Sequence, residues 1–176
     1  MARDNIVIVG FMGAGKSVVG RLLAKRLGRC FVETDDMIVA REGRPIPDIF
    51  RTEGEVFFRA LEAEMVEALK LKSGEVIATG GGLPCREGRM AELRELGTVV
   101  WLDGDLAAMH ERASRSGRRP MLEGRPFADV EQLYRDRQRY YRQADITLDT
   151  AGLGPDEVVV KLLAALRQAE VRDGRR

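Results

Sequence analysis

Short apolar runs alternate with amphipathic stretches along nearly the whole chain. Ile6-Val7-Ile8-Val9 ends at Gly10, so residues 5–10 read as a parallel strand buried on both faces. A helix follows from about Lys16 to Leu27, with Val18, Val19, Leu22, Leu23 and Leu27 assigned to its apolar face and Gly28 as its stop. Cys30-Phe31-Val32 predicts a second strand that runs into Glu33-Thr34-Asp35-Asp36. A helix then extends to about Glu42, and Gly43 closes it. Residues 46–50 suit a short helical turn, and 55–72 a long helix with Phe58, Leu61, Met65 and Leu69 inward. Further strands are predicted at 76–79, 98–102 and 146–148. Helices fit about 86–95, 105–114, 130–143 and 156–170. This alternation implies a three-layer α/β/α sandwich around a mainly parallel five-stranded sheet. In such sheets ligands gather beyond the carboxyl ends of the strands, which brings Gly10–Ser17, Glu33–Asp36, Gly80–Gly82 and the end of the fourth strand to one edge.

The first strand opens into Gly10-Phe11-Met12-Gly13-Ala14-Gly15-Lys16-Ser17, which fits G-x-x-x-x-G-K-[ST], the phosphate-binding loop of a P-loop NTPase. Its glycines let backbone N–H groups converge on an anion without interference from side chains. The helix starting near Lys16 adds its positive end. Lys16 supplies a mobile cation for the outer phosphates and Ser17 a hydroxyl ligand for Mg2+. A Gly-rich turn that binds nothing is the alternative, and the flanking strand and helix argue against it. The expected ligand is ATP or another nucleoside triphosphate, held by Gly13, Ala14, Gly15, Lys16, Ser17 and Val18.

The 176 residues suit one domain, 1–176, with no linker or repeat. No apolar run is long enough to span a bilayer, and no secretion signal is apparent, so a cytoplasmic protein with no membrane partner is expected. Cys30 and Cys85 stand far apart without metal-ligand companions and read as reduced structural thiols. His110, the single histidine, lies in a predicted helix and is read as non-chemical. Net charge is +1, so global attraction to nucleic acid is not implied. Charge is uneven, however. Arginines at 112, 115, 118, 119, 125, 135, 137, 139 and 142 outnumber the acids Glu123, Asp129, Glu131 and Asp136. That choice of Arg favours recognition of anions through a planar fork. Residues 114–128, rich in Gly, Pro and Arg, resist regular assignment and read as a mobile lid.

Further chemistry shares the predicted edge. Glu33 and Asp35, taken as i and i+2 of an extended segment, would point the same way, toward the γ-phosphate region. One would hold the metal's water shell, and the other would contact an acceptor hydroxyl. Asp36 reads as an acid placed for the helix dipole. Arg59 has a bland reading as the i,i+4 partner of Glu55. Gly80-Gly81-Gly82 permits close backbone approach to a small ligand. Arg119, beside Pro120 in the lid, and Arg137 are candidate anion clamps.

Taken together, these residues resemble the shikimate kinase family from Ile6 to about Leu166. The sharper matches are Glu33-Thr34-Asp35, Asp48-Ile49-Phe50, Glu53-Gly54-Glu55, Phe58-Arg59, Gly80-Gly81-Gly82, Arg119-Pro120, and Arg137 with Tyr141. The resemblance implies transfer of the γ-phosphate of ATP to the 3-hydroxyl of shikimate. It places Asp35 on the shikimate hydroxyls, Arg59 and Arg137 on its carboxylate, and the triple-glycine backbone against its ring hydroxyls. Arg119 would reach the transferred phosphate and Arg112 would pack on adenine. Lys16, Asp35 and Arg119 are thus the expected catalytic residues, with Mg2+ held by Ser17 and, through water, by Glu33. A monomer is implied. Two departures stand out: Glu33 replaces the family's usual Asp, and Arg139 stands where Pro is common. Rival readings are a gluconate-kinase-like sugar-acid kinase, a non-catalytic ATP-dependent regulator, and a nucleic-acid module using the Arg-rich span.

Overall fold

The structure is a computed structural model that describes residues 4–115 and 126–172. Its elements run β1 (Asn5–Val9), α1 (Lys16–Leu27), β2 (Phe31–Glu33), α2 (Thr34–Glu42), α3 (Ile46–Leu69), β3 (Val76–Ala78), α4 (Arg89–Leu96), β4 (Gly97–Asp103), α5 (Leu106–Arg115), α6 (Phe127–Tyr141), β5 (Ile146–Asp149) and α7 (Pro155–Arg172). The strands line up as β2-β3-β1-β4-β5, and every pairing is parallel. Parallel neighbours need helical crossovers, which follow a right-handed rule in such sheets. The β1-to-β2 step and the β3-to-β4 step travel in opposite directions along the sheet, so their helices cover opposite faces. α1 packs on α7, and α4 packs on β1, β4 and α3. The expected three-layer sandwich is therefore present.

Both faces of the sheet are covered, which is why β1 reads as an unbroken apolar run: all five of its residues are buried. The main core gathers Val7, Ile8, Leu23, Val66, Leu93, Val100 and Leu162. A second cluster joins α2 to α3 through Ile38, Ile49, Phe58, Leu61 and Met65. Burying side chains of this size stabilises the fold by about 1.5–3 kcal/mol each, so the cluster fixes α3 and the residues on its flank. No described helix is long and apolar enough to cross a membrane.

Several boundaries differ from those the sequence predicts. Residues 46–50 and the long helix join as α3, which bends at Gly54 (φ 80, ψ −179) and ends at Leu69 instead of residue 72. α4 begins at Arg89, after turns that occupy 80–88. Val18 and Leu27 are exposed, whereas Val19, Gly20, Leu23 and Ala24 form the buried stripe of α1. Val18 is one residue off that stripe, about 100° round the helix. α2 already starts at Thr34, so the expectation of an extended Glu33–Asp35 segment is corrected. Glu33 ends β2, and Asp35 lies in the first turn of α2. Both cysteines are free, but Cys30 is exposed and so contributes nothing to the core. Within the lid expected at 114–128, residues 114–115 and 127–128 are helical. Residues 116–125, with Arg119 and Pro120, lie outside the described residues.

Candidate active site

Strand register assembles the site. Glu33 is level with Ala78, Ala78 with Ile8, and Ile8 with Val100. Two residues beyond that line come Gly10 after β1 and Gly80 after β3, so the phosphate loop and the triple glycine leave the sheet side by side.

The loop closes around its own lysine. Lys16 is buried, and its Nζ donates to Gly10 O at 2.8 Å and Phe11 O at 3.0 Å. Gly15, in the left-handed region, is the N-cap of α1 and gives no side-chain cap. The first-turn amides of Lys16, Ser17 and Val18 have no intrahelical acceptor, which suits an anion. Val18 contributes only backbone here. Ala14 is a buried residue of the loop. Gly13 is packed against α5, where an added Cβ would lie 2.0 Å from Met109 O at a φ of +75. Replacing Gly13 with Ala is expected to cost about 1–2 kcal/mol through its backbone conformation alone. Because the clash is with backbone, the loop itself must move. The ATP Kd of this variant, measured by calorimetry, should rise about tenfold or more; an unchanged Kd would refute the loop's dependence on this contact.

Ser17 Oγ donates to Glu33 Oε1, and Arg21 Nη2 reaches Glu33 Oε2 at 3.2 Å. The longer acid thus spans the gap to Ser17 despite its departure from Asp. Arg21 also approaches Asp36 at 3.7 Å, and Asp36 is an exposed first-turn acid of α2, in keeping with a dipole role. No described group of three or more His, Cys, Asp or Glu could hold a metal by itself. A hydroxyl beside one carboxylate does fit Mg2+, which binds through one or two protein oxygens together with phosphates and waters. Arg112 Nε donates to Gly13 O at 2.8 Å, which sets this side chain on the lip of the loop.

The opposite side is built for a different anion. Asp35 lies so close over Gly80 that a Cβ there would be 2.5 Å from Oδ1. Thr34, fully buried, accepts the Gly80 N–H on Oγ1 at 3.0 Å and fastens α2 to the triple glycine. A Cβ at Gly82 would meet Arg59 Nη1 at 2.9 Å and Arg137 Nη2 at 3.4 Å. A side chain at Gly82 would displace the ends of two guanidinium groups that share this backbone. Both arginines line an open cleft of ≈ 760 Å³ with Gly82, Cys85, Leu133 and Tyr140.

The two arginines are held differently. Arg59 binds Glu55 at 3.0 Å, as the local reading of the sequence expects, and also Glu62 at 2.8 Å. Burial alone would lower the Arg59 pKa, but Glu62 and Glu55 outweigh it and hold it above the usual arginine value. Glu62 is 2% exposed. Burial pushes its carboxyl upward, and Arg59 opposes that rise. Arg137 is 8% exposed and lies over the Phe11 ring, 5.7 Å from its centroid. Arg135 on the same helix pairs with Glu131, but no described carboxylate pairs with Arg137. Tyr141 donates to Gly81 O at 2.6 Å, and burial holds its hydroxyl well above the usual tyrosine value. Burial also raises the Cys85 thiol, against the pull of Arg137.

The structure therefore brings Lys16, Ser17 and Glu33 together on one side of the strand ends, and Asp35, Arg59, Gly80–Gly82 and Arg137 on the other. His110 packs edge-on against Phe127 at 5.4 Å. Sequence reasoning missed Glu62, Thr34 and Phe11 as members of the site. Glu62 did carry a signal: it is a carboxylate within the apolar stripe Phe58, Leu61, Met65 and Leu69, three residues from Arg59.

Over residues 12–167 the chain matches the family described as shikimate kinase. A shikimate kinase of Persephonella marina is 42% identical over 163 residues, covering 93% of this chain and 99% of that protein. The structure of shikimate kinase from Acinetobacter baumannii in complex with shikimate has a TM-score of 0.86 at 36% identity and covers 94% of each chain. A gluconokinase from Sinorhizobium meliloti shares the fold alone, with a TM-score of 0.58 at 22% identity over 99% of this chain and 98% of that one. The length and identity of these matches establish that the chain belongs to the shikimate kinase family.

Proposed function

We propose a division of labour among these residues for the family's reaction, in which ATP and shikimate give ADP and shikimate 3-phosphate. The observation that carries it is the pairing of Arg59 and Arg137 over Gly82 with Asp35 over Gly80. A small carboxylated polyol needs a cationic fork at one end and a carboxylate for its hydroxyls at the other. Arg137, buried without an acidic partner among the described residues, gains most from an incoming carboxylate. Asp35 orients the 3-hydroxyl and takes its proton as the phosphoryl group leaves ATP. Lys16 follows the charge that builds on the transferred group, supported by the loop amides. Ser17 and, through water, Glu33 would hold Mg2+, which would supply neutralisation of charge on the phosphates. Arg112 flanks the nucleotide, and Arg119, outside the described residues, is assigned to the transferred phosphate on the resemblance alone. The protein works as a monomer in the cytoplasm on small molecules, and the free state of Cys30 and Cys85 is compatible with a reducing compartment.

A coupled assay of ADP release, offered shikimate, gluconate or a nucleoside monophosphate, tests the reading. Release should depend on shikimate and give a phosphorylated product. Gluconate-dependent release would favour the sugar-acid alternative, and slow release independent of any acceptor would favour a regulator.

A further inference from the structure

Tyr134, Arg137 and Tyr141 stand at i, i+3 and i+7 of α6, on one stripe of the helix. All three are buried, and the two tyrosines fasten the helix on either side of the arginine. Tyr141 is tied to Gly81. The Tyr134 hydroxyl donates to Asp103 Oδ1 at the end of β4, and the same oxygen accepts the Gly104 N–H at 2.9 Å. The Tyr134 ring also meets Phe11 edge-on at 5.2 Å, beneath the Arg137 guanidinium. Pro126, the N-cap of α6, supplies no side-chain cap, so tertiary contacts must set the helix's register.

Asp103 is a well-placed reference point. It directly follows Leu102, whose carbonyl would lie 2.7 Å from a Cβ on Gly10. The end of β4 therefore touches the start of the phosphate loop and the anchor of α6 in consecutive residues. We propose that the Tyr134–Asp103 pair is a positioning device. By stopping α6 from turning or sliding, it fixes Arg137 at the depth where its fork meets the acceptor's carboxylate. It thereby sets acceptor affinity and leaves nucleotide affinity alone. This rests on the reading of Arg137 as a carboxylate ligand. Burial, with Asp103 accepting the hydrogen bond, pushes the Tyr134 hydroxyl up to about 12, so the bond persists across the working pH range.

The test is steady-state kinetics with both substrates varied. Tyr134→Phe keeps the ring against Phe11 and deletes only the hydroxyl. It should raise the acceptor KM about tenfold, with ATP KM and kcat within about twofold. Asp103→Asn, which retains an oxygen acceptor, should restore most of the affinity that Asp103→Ala loses. In an Arg137→Ala background, Tyr134→Phe should add almost nothing to the acceptor KM, because the group it positions is gone. A lowered Tm with an unchanged acceptor KM would reduce the pair to a structural contact. Full additivity with Arg137→Ala would also overturn the proposal. An Arg137→Ala variant that itself binds the acceptor normally would refute the carboxylate reading, and this inference with it; that failure is recognisable because it appears in the single variant.

Discussion

Asp35→Asn should abolish useful turnover, lowering kcat by about 10²–10⁴-fold. The protein should stay folded and bind ATP normally. The substitution preserves size and an oxygen acceptor, but it removes the negative charge and the site for a proton. An alcohol becomes a competent nucleophile only as its proton departs, so the loss falls on the chemical step. Acceptor KM should change far less than kcat. Loss of the first-turn charge costs the helix about 0.3–1 kcal/mol. Thr34, buried against Gly80, is untouched and continues to hold α2 in place. Rapid-quench measurement of phosphoryl transfer, with ATP affinity measured separately, separates these effects. A variant that turned over at wild-type rate would remove Asp35 from the chemistry.

That acid was legible in the sequence, although the geometry expected of it was not. Strand alternation would aim Glu33 and Asp35 together, whereas α2 begins one residue after Glu33 and divides their tasks. Glu33 turns to Ser17, and Asp35 to Gly80. Glu33 gives α2 no side-chain cap, so the usual start signal is missing at this boundary. The phosphate loop was readable because backbone binding of phosphate is local, complete within eight consecutive residues. The sheet was readable because burial on both faces leaves unbroken apolar runs.

The acceptor side was harder to read for a physical reason. Its members come from α2, α3, the turn after β3 and α6, and only tertiary packing brings them together. Locally, Arg59 is explained by Glu55, and the structure contains that pair as well. Arg137 reads from the sequence as a candidate anion clamp, but the resemblance to the family singled out Arg59 and implied the carboxylate for both. The Tyr134–Asp103 bond joins residues 31 apart, and no local pattern announces it.

Arg59→Ala should carry two separable penalties. As a proposed carboxylate ligand, Arg59 supplies one arm of the clamp, so acceptor KM should rise by about 10²-fold while ATP binding survives. Its removal also strands Glu62, which is buried and whose carboxyl is already held above the ordinary glutamate value. Breaking a buried pair from one side costs about 3–5 kcal/mol when the remaining charge persists. The pH dependence has a definite sign. A carboxyl raised on folding makes the native state hold a proton that the unfolded chain has released, so stability falls as pH rises through that window. Arg59 limits the rise in the wild type; without it Glu62 moves higher and the window widens. Urea denaturation should therefore show a larger gap between Arg59→Ala and wild type at pH 8 than at pH 5. Adding Glu62→Gln should recover much of the stability and none of the acceptor affinity, because a neutral amide is cheaper to bury than an unpaired carboxylate yet binds no anion. A stability gap independent of pH would uncouple the two residues. Recovery of acceptor KM in the double variant would mean that Arg59 serves Glu62 alone and touches no substrate.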